Sequence, residues 1–145
     1  HGACFTGALE IALHCDFIFT TDDAKFGDTH TKFGLRPTWG MSQTLAQAVG
    51  VRRAKELSFT ARIFRGPEAL SMGLANDSVK DKDALDALVA DRANSIAGNS
   101  RAAVSAMKTL YGLAQEGHSM NEGLERELSL EFPEIADTAE RLSEF

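Results

Sequence analysis

The chain opens on HGACFTGALEIALHCD, His1 to Asp16, and this stretch limits most strongly what the rest can build. A short apolar run, HGACF, reads as the end of a strand that turns at Thr6-Gly7 into a helix reaching His14. Thr6 is an N-cap residue type, which makes Gly7 the first helical position and places Glu10 one turn in. The N–H groups of a first helical turn have no intrahelical partner and lie at the positive end of the helix dipole. Glycine has no Cβ to keep a ligand oxygen away from that backbone. Two readings follow. Gly7 N–H can donate to a developing oxyanion with the Glu10 carboxylate nearby, or the segment is an ordinary capped helix with a solvated glutamate. Periodicity alone favours the second.

The residues after Asp16 suggest a small sheet followed by helices. Asp16 to Thr20, DFIFT, alternates as a strand does, and Asp22-Asp23 supplies a turn into a second short strand, Ala24 to Phe26, closed by Gly27. Asp28 to Gly40 has no clear period and reads as a loop with one short helical turn, the kind of segment that carries sites. From Met41 the pattern is helical: Ser42 caps SQTLAQAVG, Arg52 to Thr60 follows, and Pro67 starts PEALSMG, ended by Gly73. Ala75 to Lys80 reads as an edge strand. Lys82 to Ala97 places Leu85, Leu88, Val89, Ala93 and Ile96 on one face. Ser100 caps a helix to about Gln115, and Asn121 to Phe132 and Ile135 to Phe145 are the last two, split by Pro133. The expected organisation is α/β material in residues 1–80 and a helical region in residues 81–145.

Composition narrows the function. At 145 residues the chain is long enough for a real core. A net charge of −6 argues against nucleic acid as a partner. No run of about twenty apolar residues suggests a membrane span. Cys4 and Cys15 lack metal-ligand spacing and read as reduced thiols, which points to the cytoplasm. There is no Gly-x-Ser-x-Gly elbow, His30 and His118 have no zinc spacing, and no cofactor or metal is expected. His14 and His118 read as structural or loop residues.

Four motifs in order, HGxCxTGAxEIALHCD, AKFGDTH, GLRPTWGMSQTL and GPEALSMGL, resemble the crotonase (enoyl-CoA hydratase/isomerase) superfamily, whose pattern is NGxAxGGGxELAxxCD, AxFGxPExxxG, PGxGGTxRL and AxxxGLV. The matches run from Gly2 to about Phe145 but cover only the back part of the family's usual length. The resemblance implies the back portion of a ββα superhelix with a C-terminal helical region that trimerises. It also implies an acyl-CoA thioester as substrate, with homo-oligomers as trimers or dimers of trimers. The chain opens inside a family motif and stops where relatives continue into a basic tail. It therefore reads as a fragment, as one half of a split protein with a complementary N-terminal chain, or as a short relative.

The resemblance also assigns residues. Gly7 takes one oxyanion-hole position; the second N–H donor belongs to a loop upstream of His1. Losing one such donor costs roughly 3–4 kcal/mol of transition-state stabilisation. Hydratases of the family hold a water between two glutamates. Glu10 matches the first, the base, and His30 stands where the pattern has the second. His30 can exchange a proton near neutral pH or be a polar loop residue with one local hydrogen bond. Asp28 is a candidate for a displaced carboxylate. Pro37, Trp39 and Gly40 occupy the glycine-rich turn over the acyl group, where Trp39 either walls the pocket or is a core aromatic. Phe5, beside the oxyanion glycine, is expected to line the pocket. The function implied is hydration of a 2-enoyl-CoA; isomerisation, acyl-CoA hydrolysis and a non-catalytic relative are the alternatives.

Overall fold

Two compact units make up the chain, His1–Val89 and the residues from Ala90 on. The computed structural model describes residues 1–143 and is a mixed α/β structure with eight α-helices and five short strands among them.

The first unit is built from its strand ends. β1 (Ala3–Phe5) runs parallel to β3 (Lys25–Gly27), pairing Cys4 with Phe26. β3 runs antiparallel to β4 (Phe64–Arg65), giving the order β1-β3-β4, and the Phe26 and Phe64 rings stack at 5.7 Å. A second sheet pairs β2 (Phe19–Thr21) in parallel with β5 (Asp77–Val79). The β2 strand is thus shorter and later than DFIFT predicts. Asp16 and Phe17 are exposed, and the chain turns inward only at Thr20 and Thr21.

Between β1 and β3 lies α1 (Gly7–Ala12), ending two residues before the expected His14. Thr6 does not cap it with its side chain. The Thr6 hydroxyl is bonded to that of Thr29, and its backbone takes φ 51°, a left-handed value that a β-branched residue rarely adopts. The Thr6 N–H donates to Gly27 O at 3.0 Å, which fixes the start of α1 at the end of β3.

A 3₁₀ turn at Thr31–Phe33 is the helical turn expected in the loop. α2 (Met41–Val49) begins one residue before Ser42, so the helix is preceded by Gly40 and not capped by Ser42. Gly40 takes φ 102°, and a Cβ there would lie 3.3 Å from His14 Nε2. α3 (Val51–Thr60) packs against α2, and α4 (Gly66–Ser71) follows β4. Met41 and Leu45, one turn apart on α2, are buried with Leu57 of α3, Leu9 of α1, Phe26, Phe64 and Leu74 in one core.

α5 (Lys82–Ala97) begins in this unit and continues into the second. Of its expected apolar face only Leu85 is buried; Val89 and Ile96 are exposed. In the second unit, α6 (Arg101–Gln115) is capped by Ser100, whose Oγ accepts from Ala103 N–H and donates to Asp137 Oδ1 at 2.7 Å. α7 (Met120–Ser129) starts with a capping box between Ser119 and Glu122. Before α8 (Thr138–Ser143), Asp137 accepts from Arg141 Nε at 2.6 Å, which with Ser100 holds its carboxyl below the usual range. The last two residues of the final helix expected from the sequence lie outside the described residues.

Candidate active site

The α1 start, the end of β3 and the residues leading into α2 bring three ionisable side chains together: Glu10, Asp28 and His30. All three are buried, Glu10 and Asp28 at 2% exposure and His30 at 5%. Burying charge costs free energy unless each group is hydrogen bonded, and here each is.

Glu10 Oε1 accepts two backbone N–H groups, from Trp39 at 2.9 Å and Met41 at 3.2 Å. Its second oxygen, Oε2, lies 3.6 Å from His30 Nε2. Glu10 is therefore not a solvated glutamate of a capped helix. Its carboxylate ties α1 to the turn that enters α2 and keeps one oxygen toward the imidazole.

His30 precedes the 3₁₀ turn. Its Nδ1 lies 2.6 Å from Asp28 Oδ1, and its backbone N–H donates to the same oxygen at 3.2 Å. Asp28 Oδ2 accepts the Ser58 hydroxyl of α3 at 2.6 Å. The reading of His30 as a loop residue with one local bond is incomplete, because its other ring nitrogen faces Glu10. Asp28 binds the far side of the imidazole, so it is a partner of His30 and not a carboxylate displaced into the second glutamate's place.

Gly7 is the first residue of α1, where N–H groups lack an intrahelical acceptor. A Cβ on Gly7 would meet Trp39 Cζ3 at 3.0 Å, so the indole lies against the glycine. Trp39 is 59% exposed and is not a core aromatic. His14 Nε2 donates to Trp39 O at 2.8 Å, a structural tie across the same turn. Gly40, between the two residues that bond Glu10, gives this turn its positive φ. Pro37 is half-buried in the approach to it. Phe5 is half-buried with its ring 3.5 Å from where a Cβ of Gly27 would be, so it packs on the end of β3.

Two further groups bear on the chemistry. Burial pushes the Cys4 thiol up, which disfavours the thiolate a nucleophile needs. Among the described residues no group of three or more His, Cys, Asp or Glu side chains is arranged to hold a metal ion. The sequence reading missed Ser58 and the pairing of Asp28 with His30. The second had a signal, since an Asp two residues before another residue commonly accepts that residue's N–H. Ser58 had none, because only the fold brings α3 beside the loop.

The enoyl-CoA hydratase/isomerase family model matches residues 1–141. The chain belongs to that family. It is 35% identical over 124 residues to a short-chain-enoyl-CoA hydratase of Clostridioides difficile, covering 86% of this chain and 79% of the relative. It is 38% identical over 85 residues to a probable peroxisomal enoyl-CoA hydratase of Arabidopsis thaliana, covering 59% of this chain and 32% of that protein. A crystal structure from Thermobifida fusca, described as an enoyl-CoA hydratase in complex with CoA, superposes with a TM-score of 0.86 at 29% identity. That superposition covers 97% of this chain and 54% of the other. The chain spans about half the length of that structure and a third of the Arabidopsis protein. Its mixed α/β fold is similar to that of crotonase-fold enoyl-CoA hydratases.

Proposed function

We propose that this chain carries the acid/base half of an enoyl-CoA hydratase site, which adds water across the 2,3 double bond of an enoyl-CoA to give the 3-hydroxyacyl-CoA. The observation that supports this is the buried pair of Glu10 Oε2 and His30 Nε2, 3.6 Å apart beside the Gly7 turn. Glu10 takes a proton from water as the water oxygen bonds to C3 of the enoyl thioester. The proton on Glu10 then passes to C2, restoring the carboxylate, while His30 Nε2 accepts a hydrogen bond from the same water and so holds it in place. Gly7 N–H donates to the thioester oxygen, where negative charge develops. Pro37, Trp39 and Gly40 flank the acyl group, and Phe5 supports the end of β3 behind it. The reaction needs no cofactor beyond its acyl-CoA substrate.

Assembly as a trimer or dimer of trimers belongs to the same reading. Its support is the exposure of Met107 and Tyr111 on α6 and of Leu124 and Leu128 on α7. A complementary N-terminal chain would bring the second oxyanion donor. No helix among the described residues is long and apolar enough to cross a membrane. A cytoplasmic location is part of the proposal, in keeping with the unbridged Cys4 and Cys15.

Isomerisation is the second reading, favoured by the imidazole in place of a second carboxylate, since moving a double bond needs only one base. Hydration of a short 2-enoyl-CoA by the purified protein, followed by loss of the conjugated thioester absorbance, tests the first reading. A His30→Glu variant separates the two. Loss of hydration shows that His30 takes part, whereas a strong rise shows that the native reaction is a different one.

A further inference from the structure

The steps above leave Asp28 and Ser58 without a task. We propose that Asp28, held by Ser58, is a positioning residue that fixes the tautomer of His30, so that Nε2 alone exchanges protons with the site.

Both oxygens of Asp28 are taken by donors from the surrounding fold. Asp28 Oδ1 receives the backbone N–H of His30, and Oδ2 receives the hydroxyl of Ser58. An oxygen already accepting an amide proton, 2.6 Å from Nδ1, requires Nδ1 to carry its hydrogen. Nδ1 keeps that hydrogen whether the ring is neutral or charged. The only nitrogen that gains and loses a proton is then Nε2, which faces Glu10.

The geometry gives this a chemical consequence. At 3.6 Å, Nε2 and Oε2 are too far apart for a good direct hydrogen bond. A single water can donate to both at about 2.8 Å each. A bare Nε2 therefore acts toward water as a second carboxylate oxygen would. In the opposite tautomer Nε2–H would point at Glu10 and the site would lose an acceptor. The clamp is rigid because its parts come from different elements: Asp28 follows β3, Ser58 lies on α3, and the Thr31 hydroxyl donates to Ser58 O at 2.6 Å.

The catalytic part of this inference rests on the hydratase reading, and the tautomer part does not. The test is a pH titration of the purified protein with ¹⁵N-labelled histidine, with His30 assigned by difference from His30→Gln. Nδ1 is expected to stay protonated throughout while Nε2 alone changes. Asp28→Leu, which removes the acceptor of Nδ1–H, is expected to populate the Nε2–H form. Replacing an orienting carboxylate lowers kcat by about 10⁴-fold in a serine-protease triad through the wrong tautomer. Here Asp28→Leu is expected to lower kcat for hydration by roughly 10²-fold or more with KM little changed, and Ser58→Ala to lower it less. The wild-type nitrogens decide the matter if Asp28→Leu does not fold. A wild-type Nε2–H tautomer, or unchanged nitrogens in Asp28→Leu, overturns the inference. Absence of wild-type hydration with the expected nitrogens would instead count against the hydratase reading alone.

Discussion

The two units of this chain differ in how much of a core their apolar residues build. In the first, Leu9, Met41, Leu45 and Leu57 are almost fully buried, and the ionisable Glu10, Asp28 and His30 lie buried with them. In the second, Ala106 is the one buried apolar residue among those described, while Met107, Tyr111, Leu124 and Leu128 face outward. The first unit thus sets its polar cluster beside a closed core, while Ile11, Phe33, Leu35 and Phe59 stay exposed. The second has well-made helices, with a cap at Ser100 and a capping box at Ser119, but leaves their apolar sides open. Local helix signals and a closed core are separate achievements, and the second unit shows the first without the second.

The contrast can be broken most strongly at Glu10. Glu10→Gln keeps an oxygen for the Trp39 and Met41 amides and removes the base, so kcat for hydration is expected to fall by roughly 10²–10⁴-fold with far-UV circular dichroism unchanged. Unaltered turnover would remove Glu10 from the chemistry. The next largest effect belongs to the core. Leu45→Ala is expected to lower unfolding free energy by about 2–5 kcal/mol in denaturant titration. Leu124→Ala, on an open face, is expected to change it by within about 0.5 kcal/mol per isolated chain while weakening self-association measured by sedimentation. Equal losses at the two positions would erase the distinction between the units.

Smaller effects sharpen it. Ser119→Ala removes the α7 capping box and is expected to cost about 1 kcal/mol, visible as a lower thermal midpoint. The Arg62 guanidinium bonds Glu68 and Glu56, and the Glu68 carboxyl is held below the usual range chiefly by its bond from Arg62. A depressed carboxylate adds stability above its unfolded pKa and loses it as pH falls through the folded value. Stability should therefore decline on acidification, and the decline should be slightly shallower in Glu68→Gln. The effect is small because both partners are substantially exposed.

Much of this architecture was legible in the chain. The Gly7 helix start, the Asp22-Asp23 turn, the Gly50 and Gly73 stops and the Ser100 cap rest on local chemistry and appear where their residues direct. What failed depended on contacts distant in sequence. Thr6 is a cap residue by type, but its hydroxyl is taken by Thr29, 23 positions on. Ser42 yields to Gly40 because the positive φ that turns the chain into α2 comes two residues earlier. The face of α5 was correctly helical in period, yet amphipathic spacing does not say what covers an apolar side. For the cluster, the sequence supplied Glu10 and His30 but not the acceptor on the far side of the imidazole. That partner follows from the path of β3 into the 3₁₀ turn, and Ser58 from the packing of α3.

One feature of the turn into α2 has a practical consequence. Trp39 is the single tryptophan of the chain, and its ring rests on Gly7 with more than half its surface in solvent. Any oxygen that approaches the Gly7 amide must arrive beside that indole and change what surrounds it. If the proposed site takes its thioester there, this indole is a fluorescent gauge of occupancy, free of overlapping signals from other indoles. Emission from one side chain can be followed against added thioester in real time, without a label and without waiting for turnover.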